Sequence, residues 1–170
     1  MTMTQERMPV DGRFFEDLAP GDTFTSSGRT ITESDVVNFA GVSGDFNQIH
    51  LDVEASKNTM YGQRVAYGML GASIATGLLD RLGVFRTSMA AMLEIESWKF
   101  VGPIFIGDTV HLRLTIESTR LTSRGDRGVV RRRMELINQR GEVVQDGIIT
   151  VMVLCRAAAL DAERVSEPSR

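Results

Sequence analysis

Between Ala66 and Leu82 the chain carries Met69, Leu70, Ala72, Ile74, Ala75, Leu78 and Leu79, with one charged pair, Asp80 and Arg81, near the end and Gly83 just after it. Apolar residues at this spacing predict one long helix over 66–82, and Gly83 is a natural stop. Apolar or small residues fall nearly all round the circumference, so the helix is expected to be wrapped rather than laid on a surface. Gly68, Gly71 and Gly77 lie within it. They cost helix stability, but they also permit close approach of a backbone or a ligand. Whatever the fold, the rest of the chain must cover this helix.

Downstream of the helix the chain reads as strands. Val110, Leu112, Leu114 and Ile116 alternate with His111, Arg113, Thr115 and Glu117, a clean period of two. Ala90 to Phe100 alternates more loosely, and Val130 to Ile137 continues the style. Asn138-Gln139-Arg140-Gly141 can close a hairpin into Val143 to Leu154. The segment from Arg120 to Gly128 is a looser connection. Upstream, Pro20-Gly21-Asp22 marks a turn and Thr23 to Thr30 a modest first strand. Thr32-Glu33-Ser34-Asp35 starts a short helix, with Thr32 as cap and Asp35 in the place of the usual Glu or Gln of a capping box. Its stop is expected near Gly41. This order by itself predicts an α+β fold with one long central helix, the only candidate to cover the apolar face of a curved antiparallel sheet wrapped around it. It is expected to be a single domain over residues 13–158, with a flexible arm at 1–12 and a tail at 159–170.

Composition removes several function classes. With 170 residues, 42% of them hydrophobic, the chain is long enough to bury a core. Lys and Arg total 19 against 22 Asp and Glu, which disfavours nucleic acid as a partner. No stretch approaches the roughly 20 apolar residues of a membrane span, and Met1 to Val10 has no secretory pattern. Cys155 is the only cysteine, so no internal disulfide forms, and its place after an apolar run reads as structural. A cytoplasmic location is the default expectation.

Only two histidines are available for chemistry. His111 sits on the polar phase of a strand and reads as a surface or interface residue. His50 follows Asp45 by five residues across a turn-rich segment that starts at Gly44. A short loop of this kind can fold Asp45 back beside His50, and an acid and an imidazole within reach of one water form a general acid–base pair. The same residues also read as a turn-capping Asp45 and a core His50 with its ring satisfied. Asp45, His50, Asp52 and Glu54 show no recognised metal-ligand spacing. Gly68-Met69-Leu70-Gly71 lacks the lysine of a phosphate loop and the pattern of a dinucleotide fingerprint. Gly68 stands at the helix entry, where backbone N–H groups have no intrahelical partner. It is either a donor for a developing oxyanion or a glycine needed only for a tight turn.

Asp35-Val36-Val37-Asn38-Phe39-Ala40-Gly41-Val42-Ser43-Gly44-Asp45-Phe46-Asn47-Gln48-Ile49-His50-Leu51-Asp52 resembles the hydratase signature of the MaoC-like dehydratases, which include the (R)-specific enoyl-CoA hydratases. The resemblance continues through Ala66-Tyr67-Gly68-Met69-Leu70-Gly71-Ala72-Ser73 and through Phe100-Val101-Gly102-Pro103-Ile104-Phe105-Ile106-Gly107-Asp108-Thr109. It implies a hot-dog fold, in which the sheet curls round the central helix, and a homodimer or higher homo-oligomer. The activity it implies is reversible syn hydration of a trans-2-enoyl-CoA thioester to the (R)-3-hydroxyacyl-CoA, with neither metal nor redox cofactor. The family's catalytic pair falls on Asp45 and His50, and its oxyanion N–H on Gly68. Its site-shaping asparagine falls on Asn47, and a hydroxyl near the catalytic pair on Thr76. The sequence departs from the family at Gln48, where proline is common, and at Tyr67, where histidine is common. Tyr67 is expected to narrow the pocket or to bind a polar acyl group. Arg64, Lys57 and Lys99 are candidates for the CoA phosphates. Two other readings remain for such a chain: an acyl-CoA thioesterase, or a non-catalytic subunit beside an active one.

Overall fold

The computed structural model describes residues 12–159. Apart from Gly12 and Ala159, the expected arm and tail lie outside the described residues.

A short 3-10 turn at Phe15–Asp17 leads into β1 (Thr23–Thr25) and β2 (Arg29–Thr30). The single strand expected over Thr23–Thr30 is therefore split, and both pieces pair with β4 (Thr109–Leu121). Helix α1 spans Glu33–Ser43, and its capping box forms as expected: Thr32 accepts from the Asp35 N–H, while Asp35 accepts from the Thr32 N–H. The helix runs past Gly41 and stops at Gly44, which takes the left-handed conformation, φ 72°. Two four-residue helices come next, α2 (Gln48–Leu51) and α3 (Val53–Ser56). Helix α4 begins at Gly68, two residues later than expected, and ends at Leu82 with Gly83 as its left-handed cap. Among the described residues no helix is long and apolar enough to cross a membrane.

The remaining long strands are β3 (Met89–Phe100), β5 (Arg127–Asn138) and β6 (Val143–Leu154). All strand pairs are antiparallel, in the order β1-β4-β5-β6-β3 with β2 also on β4. The hairpin at Asn138–Gly141 closes β5 onto β6. The connection expected to be loose between Arg120 and Gly128 is instead a tight turn. Its closing pair is the Thr122 N–H on the Arg127 carbonyl, 3.0 Å. Val110, Leu112, Leu114 and Ile116 are at most 1% exposed, the inward phase that their period of two requires.

The α+β class holds, but the curved, wrapped sheet does not. The sheet is open: β1 and β3 are its two ends and do not pair with each other. Helix α4 lies against one face, packing mainly on β4 and β5. Leu70, Gly71, Ile74, Ala75, Leu78 and Leu79 are buried, whereas Met69, Ser73, Thr76 and Gly77 are not. The small residues that made the helix look apolar all round do not demand cover. Alanine, glycine and serine lose little by facing water, so one buried stripe suffices. The core lies between that stripe, Val36 and Ala40 of α1, and the inward side chains of β4, β5 and β6.

Candidate active site

The segment carrying Asp45 and His50 is built from local hydrogen bonds. Gly44 ends α1, and the Asp45 carboxylate accepts from the Asn47 N–H at 3.0 Å, closing a side-chain turn. Asn47 caps α2 in the same way, accepting from the Ile49 N–H at 3.1 Å. Gln48 therefore sits at the first helical position, which tolerates proline because its N–H needs no intrahelical partner. The asparagine cap makes the helix start without that ring. Ser56, fully buried, donates to the carbonyl oxygens of Gln48 and Ile49 at 3.2 Å each and fixes α2 from below.

His50 lies half-buried on α2. Its Nδ1 is 2.7 Å from the carbonyl oxygen of Val65. A carbonyl only accepts, so Nδ1 carries the proton of the neutral ring and Nε2 is left as the basic nitrogen. The imidazole also rests on Tyr67, ring centroids 3.8 Å apart. Tyr67 is 4% exposed and packs on Phe39 at 5.2 Å. Its hydroxyl donates to the backbone carbonyl of Asp45 at 2.6 Å. Burial, and then the nearby Asp45 charge, push the phenol's pKa up, so it stays a donor. Tyr67 thus lies beneath the His50 ring and ties the Asp45 turn to the start of α4. It does not line the pocket, where a contact with an acyl group was expected.

A groove of about 560 Å³ is bounded by Ile49, His50, Gly68, Met69, Phe100 and Gln145. Gly68 is the first residue of α4, and no side chain caps that helix start. The first intrahelical bond runs from the Gly71 N–H to the Tyr67 carbonyl. The N–H groups of Gly68, Met69 and Leu70 precede it and lack intrahelical acceptors, which gives the groove a positive end. Gly68 leaves room for its neighbour rather than meeting a demand of backbone angle: a Cβ there would stand 2.7 Å from the ring of exposed Phe100, which would have to move aside. Buried Gln145 holds the helix start, donating to the Gly68 carbonyl at 2.9 Å and accepting from the Trp98 indole at 3.0 Å. Sequence reasoning missed Gln145, a polar residue in the buried phase of β6. It also missed Arg132, which occupies the inward phase of β5.

The structure therefore joins His50, Gly68, Tyr67, Asn47 and the Asp45 backbone. The Asp45 carboxylate stays on an exposed turn, bonded to the Asn47 N–H, while Tyr67 holds the backbone carbonyl of the same residue. Thr76 does not join this group. It lines a different cavity, and its hydroxyl donates to the Ser73 carbonyl of its own helix at 2.7 Å. Of the cations considered for CoA, Arg64 is held by both oxygens of Glu33 and Lys57 by Glu54, whereas Lys99 lies within the field of Asp146.

Similarity to known proteins bears on this arrangement. The family model described as "MaoC like domain" matches residues 16–138. The chain is 34% identical to an (R)-specific enoyl-CoA hydratase of Rhodospirillum rubrum over 148 residues, covering 84% of this chain and 93% of that protein. It is 36% identical to Protein MaoC of Klebsiella aerogenes over 113 residues, which is 66% of this chain but only 33% of that protein. The crystal structure of the MaoC-like dehydratase from Rhodospirillum rubrum superposes with a TM-score of 0.77 at 31% identity, covering 85% of this chain and 99% of that one. This chain belongs to the MaoC-like dehydratase family and is related to the (R)-specific enoyl-CoA hydratases.

Proposed function

We propose that this protein adds water across the double bond of a trans-2-enoyl-CoA thioester, syn, to give the (R)-3-hydroxyacyl-CoA, and catalyses the reverse elimination. One observation carries the reading. His50, with Nδ1 tied to Val65 and Nε2 left basic, shares a groove with the uncapped start of α4 at Gly68. The thioester withdraws electrons from C2=C3, so C3 accepts a nucleophile. A water held by His50 Nε2 and the Asp45 carboxylate attacks C3. The pair takes one proton from the water and delivers one to C2 on the same face. Negative charge grows on the thioester oxygen during attack, and the Gly68 N–H at the positive helix end stabilises it there. Asn47 holds the turn that carries Asp45, Tyr67 braces both catalytic groups, and no metal or redox cofactor takes part.

A homodimer is part of the same reading. Among the described residues strand β3 pairs on one side only and leaves a twelve-residue edge that carries exposed Met92, Leu93 and Ile95. Such an edge is ordinarily covered. Light scattering on the purified chain checks this, with a dimer mass expected.

The activity test is the loss of enoyl absorbance on adding the protein to crotonyl-CoA, beside Asp45→Asn and His50→Ala and with a parallel assay for free thiol. Rapid loss in the wild type, reduced about 10²-fold or more in each variant and without thiol, is the expected result. Thiol release would make the protein a thioesterase. An undiminished rate in either variant would remove that residue from the mechanism.

A further inference from the structure

A second cavity, of about 310 Å³, opens beside the C-terminal half of α4. Thr76, Leu79, Phe85, Met89 and Met92 contribute to its lining, together with Arg132 of β5. Arg132 is 3% exposed and stands in the inward phase between Val130 and Met134. Its Nε and Nη1 are buried and have no hydrogen-bond partner among the described residues. Asp80 lines the same cavity but does not neutralise it: burial alone displaces the guanidinium, down to about 10, so it is still cationic at neutral pH. The Phe85 ring, 5.0 Å away, offers a cation–π contact that supplies no hydrogen-bond acceptor.

A buried arginine is ordinarily paired, because an unpaired charge in an apolar setting is costly. The planar guanidinium fork matches a carboxylate, which can accept two parallel bonds from it. Leu79, Phe85, Met89 and Met92 fit the rest of such a ligand only if it is apolar. The volume suits a small molecule rather than a long lipid chain, being near the lower end of ligand pockets at roughly 300 Å³. Exposed Arg86 adds a second positive charge to the lining.

We propose that this cavity binds a carboxylate carried on a short apolar body, with Arg132 as the group that recognises the carboxylate. The site lies apart from the groove of His50, since Gly68 and Thr76 are separated by about 12 Å along the axis of α4. Two sources supply the same chemistry. One is a free carboxylic acid. The other is a carboxylate at the far end of an acyl chain whose thioester sits at Gly68, which rests on the hydratase reading.

The test is calorimetric titration of octanoate into the full chain, with 1-octanol as the uncharged control. Octanoate is expected to bind about tenfold more tightly than octanol, and Arg132→Met to abolish that preference. Arg132→Lys, a point charge without the fork, is expected to fall between. Should Arg132→Met fail to fold, the exposed Arg86→Glu serves, weakening octanoate but not octanol. Equal binding of the two probes, no binding of either, or full octanoate affinity in Arg132→Met would each overturn the proposal. The two sources separate kinetically. If trans-2-octenoyl-CoA bearing a terminal carboxylate is preferred over its methyl-ended counterpart, and Arg132→Met removes the preference, the ligand is the substrate's own far end. If octanoate binds without any such preference, the ligand is a free acid. Calorimetry requires no turnover, so failure of the hydratase reading would leave this result standing.

Discussion

The hydroxyl of Tyr67 donates to the backbone carbonyl of Asp45 at 2.6 Å while the face of the same ring supports His50 at 3.8 Å. One buried side chain, outside the lining of the groove, thus couples the two proposed catalytic residues. Tyr67→Phe keeps the ring and deletes the tie. It is expected to lower kcat about tenfold with little change in KM and to cost about 1 kcal/mol of stability, the usual net value of one hydrogen bond. Steady-state kinetics with chemical denaturation on the same sample checks both. A fall in activity matched by an equal fall in folded fraction would reduce Tyr67 to a packing residue.

Gly68→Ala separates the helix from its chemistry. Alanine favours the helix, and the ring its Cβ would meet belongs to Phe100, which is 55% exposed and has room to swing. Stability is therefore expected to change by less than about 1 kcal/mol. The displaced ring moves within the groove, and the methyl crowds the N–H assigned to the developing oxyanion. Activity is expected to fall about 10²-fold, the usual cost of losing such a donor. A thermal melt alongside the crotonyl-CoA assay distinguishes the two effects.

The legible parts of this chain were those set by local rules. Thr32 and Asp35 cap α1 because a side-chain oxygen three residues from an orphan N–H meets it in any context. The period of two in β4 holds because one face of a sheet is buried and the other is not. The turn between Asp45 and His50 was legible because it is closed by its own side chains, Asp45 on the Asn47 N–H and Asn47 on the Ile49 N–H. The cover of α4 was not legible. Whether an alanine or serine on a helix faces water is decided by distant strands, and small residues carry little signal either way. The same limit hid Arg132. Arg131-Arg132-Arg133 reads as a charged surface run, yet alternation puts the middle residue in line with Val130 and Met134, inside. Thr76 fails to meet His50 for a further reason: helical spacing along α4 carries it two turns away from Gly68, toward the second cavity.

Gly71 faces the same buried amide that holds the start of α4. A Cβ at that position would lie 2.3 Å from Gln145 Nε2 and 2.8 Å from Ile104 Cδ1. Gln145 is 1% exposed and bonded at both ends, so it has nowhere to retreat. Gly71→Ala is expected to destabilise the fold by about 2 kcal/mol through overpacking, despite the better helix propensity of alanine. Gly77→Ala is the control. Its Cβ meets nothing within 4 Å, so it is expected to be neutral or slightly stabilising. If the two variants melted together, the Gln145 contact would not be constraining the helix.

Asp146 accepts from Arg133 Nε and Nη2, 2.9 Å each, with the Asp146 side chain 22% exposed. The Arg133 hydrogen bonds, offset by burial and helped by the charges of Arg133 and Lys99, hold its carboxyl below the ordinary 3.8. A carboxyl depressed on folding contributes stability that is complete above its unfolded value and is lost as pH falls through the folded one. Arg133 is 43% exposed, so water screens the pair and the contribution is set at about 1 kcal/mol at pH 7. Asp146→Asn is expected to lose that amount, with the gap from wild type constant down to about pH 5. The gap should then close as pH drops below 3.8, where the wild-type carboxyl takes up its own proton. Urea unfolding of both proteins across this range tests the sign. A gap that widened in acid would mean that Asp146 stabilises the sheet in its protonated form.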